Sequence, residues 1–340
     1  MRRRETSNYK ICRSPKISIK NPLFSIFLKD YIEHKYSITA LQSIVNQTID
    51  VDDYEIIILT DRDDISEYKQ IMNEHDNNYL IIITGLVNLG ESYNVFLEYA
   101  TGLYACPIDN DDSWGNNRLE LIRNIIFNNT NIGFIKNEVS IISERKNDFY
   151  TKIKYWIKMN IPIKTSNKIY LIEESTDKKI FGRSLAHNVS SMVIKMCILK
   201  EKRDIIKDIN THDDPYLFFF ASYSNQKMIF MDIPLSNYLI RTNSLTIRNK
   251  EKSNILEMRQ EYKRFVRIFG NQFRNNRNKN YPYNLFLLYK LTLELLINMQ
   301  RSRAVNIKNS ELNAGLKQAL KYRMHNFIFL FLATKIRNRY

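Results

Sequence analysis

The sequence predicts a mixed α/β fold, with a mostly parallel sheet flanked by helices and then a helical, basic C-terminal region. Three observations predict it. Short runs such as Tyr54-Glu-Ile-Ile-Ile-Leu59 and Tyr79-Leu-Ile-Ile-Ile-Thr84 are largely apolar rather than alternating, as strands covered on both faces should be. Stretches with helical spacing separate these runs, the pattern of βαβ units. Charge is unevenly divided. Residues 241 to 340 carry 21 Lys+Arg against 5 Asp+Glu, which leaves residues 1 to 240 at 30 against 31.

In chain order, a basic arm over residues 1 to 21 precedes a strand-type run, Pro22-Leu-Phe-Ser-Ile-Phe-Leu28. Ile38, Leu41, Ile44 and Val45 then repeat at helical spacing. The runs from Tyr54 and from Tyr79 give the second and third strands. Asn88-Leu-Gly-Glu-Ser-Tyr-Asn94 opens the next helix with Ser92 as its expected cap, and Leu103 to Ile108 is the fourth strand. A helix over Asn117 to Asn128 and one or two strands over Ile132 to Ile142 follow. Ser143 to Lys179 is polar and irregular, the expected excursion over a substrate site. Order returns at Ala186 to Ile194, at an apolar helix opened by Asp213 and Asp214, and at a strand from Met228 to Met231.

Three cysteines, Cys12, Cys106 and Cys197, form no C-x-x-C pair, which argues against a disulfide framework or a zinc site. No apolar run follows the basic start, so secretion is not expected. The expected location is cytoplasmic, on the inner face of a membrane if the basic end docks there.

Chemistry is expected at Asp109-Asn-Asp-Asp112, where an apolar strand ends in three carboxylates within four residues. Crowded carboxylates repel one another, and a hard divalent cation would offset that repulsion. A solvated acidic turn is the plain alternative. A calcium loop fits less well, since Trp114 stands where such a loop needs Gly. Asp61 ends another strand, and in open parallel sheets ligands bind at the carboxyl ends of strands. Two acids delivered to one edge by separate strands make a constellation.

Over roughly residues 22 to 246, the order of these motifs resembles family 2 glycosyltransferases with the Rossmann-like GT-A fold. Glu55 to Asp61 is similar to the strand ending in the acid that meets the nucleotide base. Asn88 to Asn94 with Ala100-Thr-Gly102 resembles the helix before the metal strand, and Asp109-Asn-Asp-Asp112 resembles the DxD motif. Ser190 to Lys195 is similar to the acceptor-side strand, and His212-Asp-Asp-Pro-Tyr-Leu217 to the acidic pair whose second member is the catalytic base. Departures fall at Leu28-Lys-Asp-Tyr31, at Thr60-Asp-Arg-Asp63 and at Arg241, where many members have His.

The resemblance implies a metal-dependent, inverting transfer of a sugar from a nucleotide-diphosphate donor to a hydroxyl of a glycan or lipid-linked acceptor. It implies Mn2+ or Mg2+ held first by Asp111, with Asp109 and Asp112, and donor contacts at Asp61, Asn88, Asn94, Asp109 and Arg241. Asp214 is the implied general base, with Asp213 beside it. The catalytic domain would span 22–246, its nucleotide-sugar half about 22–115 and its acceptor half about 116–246.

The region 247–340 reads as helical, notably over Asn284 to Met299 and Met324 to Ile336. Phe327-Ile-Phe-Leu-Phe-Leu-Ala333 between basic residues suits an interfacial helix on anionic lipid. Packing on the catalytic domain or on a second subunit is the alternative for these helices. A nucleic-acid-binding protein is the rival class, but it leaves the acids at strand ends unexplained. An inactive scaffold of the same fold is the third reading.

Overall fold

The computed structural model describes residues 9–15, 21–31, 34–85, 88–144, 165–172, 185–210 and 212–241, together with scattered positions between 260 and 320. The chain divides into two compact units. The first comprises Met1–Ser140, Asn188–Asp213 and Pro234–Tyr238, and the second Ile141–His187, Asp214–Ile233 and Leu239–Tyr340.

In the first unit, β2 (Phe24–Asp30) is the centre of the parallel part of the sheet. It pairs in parallel with β3 (Tyr54–Thr60) on one side and β5 (Tyr104–Asp109) on the other, and β3 pairs in parallel with β4 (Asn78–Ile83). Ile56, Ile57, Ile58 and Leu59 of β3 are all buried. This agrees with runs that are apolar on both faces. The helices α1 (Ser37–Val45), α2 (Ser66–Glu74) and α3 (Leu89–Tyr99) connect these strands.

Antiparallel partners extend the parallel core. β1 (Lys10–Arg13) lies along β4, so part of the basic arm is an edge strand. Beyond the two-residue β6 (Ser113–Trp114) and α4 (Arg118–Asn128) comes β7 (Ile132–Ser143), a single strand where one or two were expected. β9 (Met192–Lys195) pairs with both β5 and β7, and β6 pairs with Ser236 and Asn237 of β10 (Lys227–Ile240).

The turn at Ala100-Thr-Gly102 is fixed by a buried acid. Glu55 accepts from Ser25 Oγ at 2.6 Å, from the Thr101 amide at 2.7 Å and from the Gly102 amide at 3.2 Å. A Cβ on Gly102 would stand 2.6 Å from the Ser25 amide nitrogen, so glycine is needed there for close backbone approach. The same holds at Gly90, where a Cβ would meet the Ile206 carbonyl oxygen at 2.2 Å. Asn88, rather than the expected Ser92, caps α3: its side chain accepts from the Glu91 amide at 2.8 Å. An asparagine in extended backbone just before the first turn offers an oxygen to an otherwise unpaired amide, whereas Ser92 lies already inside the helix.

The short helices α5 (Met196–Glu201) and α6 (Arg203–Ile206) precede α7 (Asp213–Tyr223). In the second unit, Tyr216, Phe219 and Phe220 of α7 pack around Phe265 and Phe269 of a helical stretch over 262–270, with ring centroids 4.9 to 6.3 Å apart. β8 (Ile169–Leu171) pairs antiparallel with Ile229 to Met231 of β10, so part of the stretch read as irregular is a strand. The expected helix over Met324 to Ile336 lies outside the described residues, as does nearly all of Asn284 to Met299. Among the described residues, no helix is long and apolar enough to cross a membrane.

Candidate active site

The carboxyl ends of β2, β3 and β5 form one edge of the first unit, because parallel neighbours end together. Lys29 lies opposite Asp109 in the register, and Asp30 opposite Thr60. The departures noted at Lys29 and Asp30 therefore stand in the middle of the candidate site.

Lys29 holds the acids. Its Nζ is 2.9 Å from Asp109 Oδ1 and 2.7 Å from Asp213 Oδ2, and Tyr93 donates to the same Asp213 oxygen at 2.7 Å. Burial by itself would lower the pKa of this ammonium. The two carboxylates outweigh it and hold the lysine above its ordinary value, so Lys29 is charged. Asp213, the first residue of α7, is thus bound to the strand edge although it is far away in sequence.

Asp30 is the second anchor. It is wholly buried and accepts from Thr60 Oγ1 at 2.7 Å, from Tyr68 OH at 2.6 Å and from Ser37 Oγ, with His34 Nδ1 at 2.9 Å. Burial pushes its pKa up, but donors from Ser37, Tyr68, His34 and Thr60 prevail and leave it below the usual carboxylate value. These partners lie on or beside α1, β3 and α2, so one charge clamps three elements to the end of β2. The other ring nitrogen of His34 is 3.3 Å from Asp61 Oδ1, and Asp61 follows the last residue of β3 as expected.

The Asp109–Asp112 turn is closed by an amide-to-carbonyl bond of 3.1 Å from Asp112 to Asp109. Ser190 Oγ accepts from the Asp109 amide at 3.0 Å and donates to Asp112 Oδ2 at 2.7 Å, while Asn188 Nδ2 donates to that same oxygen at 2.8 Å. Asn188 has a left-handed backbone, φ 65°. Trp114 carries the turn onward: its indole donates to the Ser190 carbonyl at 2.7 Å, and the Arg118 guanidinium lies 4.1 Å from its ring centroid. Burial raises the pKa of Asp112 well above the usual value, and repulsion from Asp111 and Asp109 adds to this. Asp112 is 2% exposed, which places it as a brace of the turn. Asp111, between them, is partly exposed.

Three expected site residues have structural partners of their own. Asp112, called as a metal ligand, is directed inward to Ser190 and Asn188. Asn88 spends its side-chain oxygen on the cap of α3. Asn94 accepts from Arg203 Nε at 2.5 Å and, through its carbonyl, from Arg203 Nη2 at 3.3 Å, which ties α3 to α6. Among the described residues, no three His, Cys, Asp or Glu side chains form a metal-holding group. An all-protein cage is therefore not the fit here. Magnesium needs only one or two carboxylates plus substrate phosphates, and the partly exposed carboxylate of Asp111 fits that arrangement.

In the second unit, Asp214 Oδ2 lies 3.2 Å from His187 Nδ1. Each of these side chains is 19% exposed. Arg241 follows the last residue of β10 and is partly exposed.

This sheet, with acids at the ends of parallel strands and Asp213 joined to Asp109 through Lys29, defines the GT-A class of glycosyltransferase folds. The family model described as Glycosyl transferase family 2 matches residues 25–189; that segment belongs to the family, and the chain is a glycosyltransferase. Among solved structures, S. aureus TarS 1-349 in complex with UDP-GlcNAc is similar at a TM-score of 0.58 and 14% identity, over 89% of this chain and 81% of that one. The mannosyltransferase PcManGT from Pyrobaculum calidifontis, in complex with GDP-Man and Mn2+, is similar at 0.54 and 13% identity, over 98% of this chain and 92% of that one. No curated protein matches the chain.

Proposed function

We propose that the protein transfers a sugar from a nucleotide-diphosphate donor to a hydroxyl of a glycan or lipid-linked acceptor, with divalent-metal assistance and inversion at the anomeric carbon. The observation that carries this reading is the binding of Asp213 to Asp109 through Lys29, which fixes the start of α7 at the strand edge that ends in Asp61, Asp109 and Asp111. The donors bound in the similar structures, UDP-GlcNAc and GDP-Man, are the first donor classes to try.

Asp111, with Mn2+ or Mg2+, would meet the donor's diphosphate, and the ion when bound supplies Lewis-acid stabilisation of the leaving phosphate. Asp61 accepts a hydrogen bond from the base, and His34 holds its carboxylate in place. Arg241 offsets phosphate charge. Asp214, the residue after Asp213, takes the proton of the attacking hydroxyl, and its pairing with His187 orients the carboxylate. A single displacement of this kind inverts configuration and forms no covalent sugar-enzyme intermediate. The basic C-terminal region would place the enzyme on anionic membrane at the cytoplasmic face, near a lipid-linked acceptor.

A panel of labelled nucleotide-diphosphate sugars, with Mn2+ or Mg2+ and free or lipid-linked glycan acceptors, tests this. One donor should yield labelled glycan of inverted configuration by NMR, and Asp214→Asn should abolish it. Retained configuration, or undiminished transfer by that variant, would contradict the reading.

A further inference from the structure

The strand edge contains a cation of the protein's own. Lys29 Nζ lies 2.9 Å from Asp109 Oδ1 and 2.7 Å from Asp213 Oδ2, its side chain is 9% exposed, and the Tyr93 ring centroid is 5.6 Å from the ammonium. The Tyr93 hydroxyl, donating to Asp213 Oδ2 at 2.7 Å, holds the far side of the same bridge. A divalent ion sharing the Asp109 carboxylate would sit within a few ångströms of this ammonium, and like charges at that range repel strongly when partly buried.

We infer that Lys29 is a positioning residue that acts as a built-in counter-ion: it retains Asp109, ties it to Asp213, and keeps it out of the divalent-ion shell, leaving Asp111 as the protein's ligand. The ion's role in transfer rests on the proposed function, but its binding is measurable without any transfer. Two consequences follow from the geometry. Asp213 is held at the strand edge by an interaction that needs no metal, so it stays beside Asp109 in the apo enzyme. Asp109 and Asp111, two residues apart, have different duties.

The experiment is a titration of the full chain with Mn2+, in the presence of UDP, reading free Mn2+ by electron paramagnetic resonance. Asp109→Asn should leave the affinity within about twofold of wild type, whereas Asp111→Asn should weaken it by roughly tenfold or more. Lys29→Met, which removes the ammonium beside Asp109, should bind Mn2+ at least about tenfold more tightly, and that gain should vanish in the double variant with Asp109→Asn. Lys29→Gln replaces it if circular dichroism shows that the Met variant does not fold. A tenfold weakening by Asp109→Asn alone, or no gain on removing the ammonium, would overturn the inference. Absence of transfer with every donor of the labelled panel would count against the proposed function and leave this binding result standing.

Discussion

Asp30 and Asp112 are both buried carboxylates at the carboxyl ends of β2 and β5, yet their environments push them in opposite directions. Asp30 has Ser37, Thr60, Tyr68 and His34 around it, and its pKa falls below the usual value. Asp112 has two donors, Ser190 and Asn188, and two acidic neighbours, Asp111 and Asp109, and its pKa rises. Burial is common to both. What decides the sign is whether donors or like charges predominate. The edge of the sheet therefore has a satisfied half, which fixes the fold, and a half richer in acid than in donors, which is suited to taking a cation or a proton.

Replacing Asp214, the acid next to Asp213, should remove activity and spare the fold. Asp214→Asn should lower transfer by about 10²- to 10⁴-fold, the usual contribution of general-base catalysis, with donor binding unchanged. Steady-state kinetics beside nucleotide titration would check it. An equal loss of both would mean that Asp214 supports structure instead.

Replacing Asp30 should do the reverse. Asp30→Ala leaves several buried donors without a partner and should cost on the order of 3 kcal/mol or more of stability, measured by urea unfolding. The pH dependence has a definite sign. Because the folded pKa of Asp30 is below its unfolded value, its contribution is fully present above about pH 4 and is lost as pH falls through the folded value. Thermal midpoints from pH 6 to pH 2 should show that loss in the wild type, and Asp30→Asn should flatten it.

Gly90→Ala sharpens the comparison from outside the acids, since a Cβ there meets backbone and not a flexible side chain. It should cost about 1–3 kcal/mol by overpacking α3 against the Ile206 turn, again by urea unfolding. The smallest effect is expected at Asp112→Asn. Its amide oxygen can still accept from Ser190 and Asn188, and the lost charge relieves both burial and repulsion. Stability should change by less than about 1 kcal/mol, with stabilisation allowed in sign, whereas a loss comparable to that of Asp30→Ala would show the two carboxylates to be alike.

Much of the fold was legible because it depends on local pattern. The apolar runs of β2 to β5, the helical spacing after them and the acids opening α7 are all short-range signals. Asp61, Asp109 and Asp111 were legible for the same reason, each standing at the end of a strand-like run. Lys29 was visible only as a departure from the family's pattern. Its meaning depends on Asp213, 184 residues away, and no spacing rule joins the two. Asp30 was hidden similarly, with Tyr68 arriving from α2, 38 residues on. Asn94 and Asp112 were legible as polar residues inside a motif, but their long-range donors, Arg203 in one case and Ser190 with Asn188 in the other, were not. β1 escaped notice because its residues are basic and short of apolar signal, and an edge strand needs only one neighbour, β4.

Binding of a nucleotide diphosphate with a divalent ion at Asp111, on the acid-rich half of the edge, can be read by thermal unfolding. UDP, GDP and other nucleotide diphosphates would be added with Mn2+, Mg2+ or chelator to the wild type and to Asp111→Ala. A ligand at a hundred times its dissociation constant adds about 2.7 kcal/mol, a readily visible rise in the midpoint. One nucleotide should raise the wild-type midpoint only when metal is present, and the variant should lose the response. A rise that is indifferent to metal and unchanged in Asp111→Ala would contradict it.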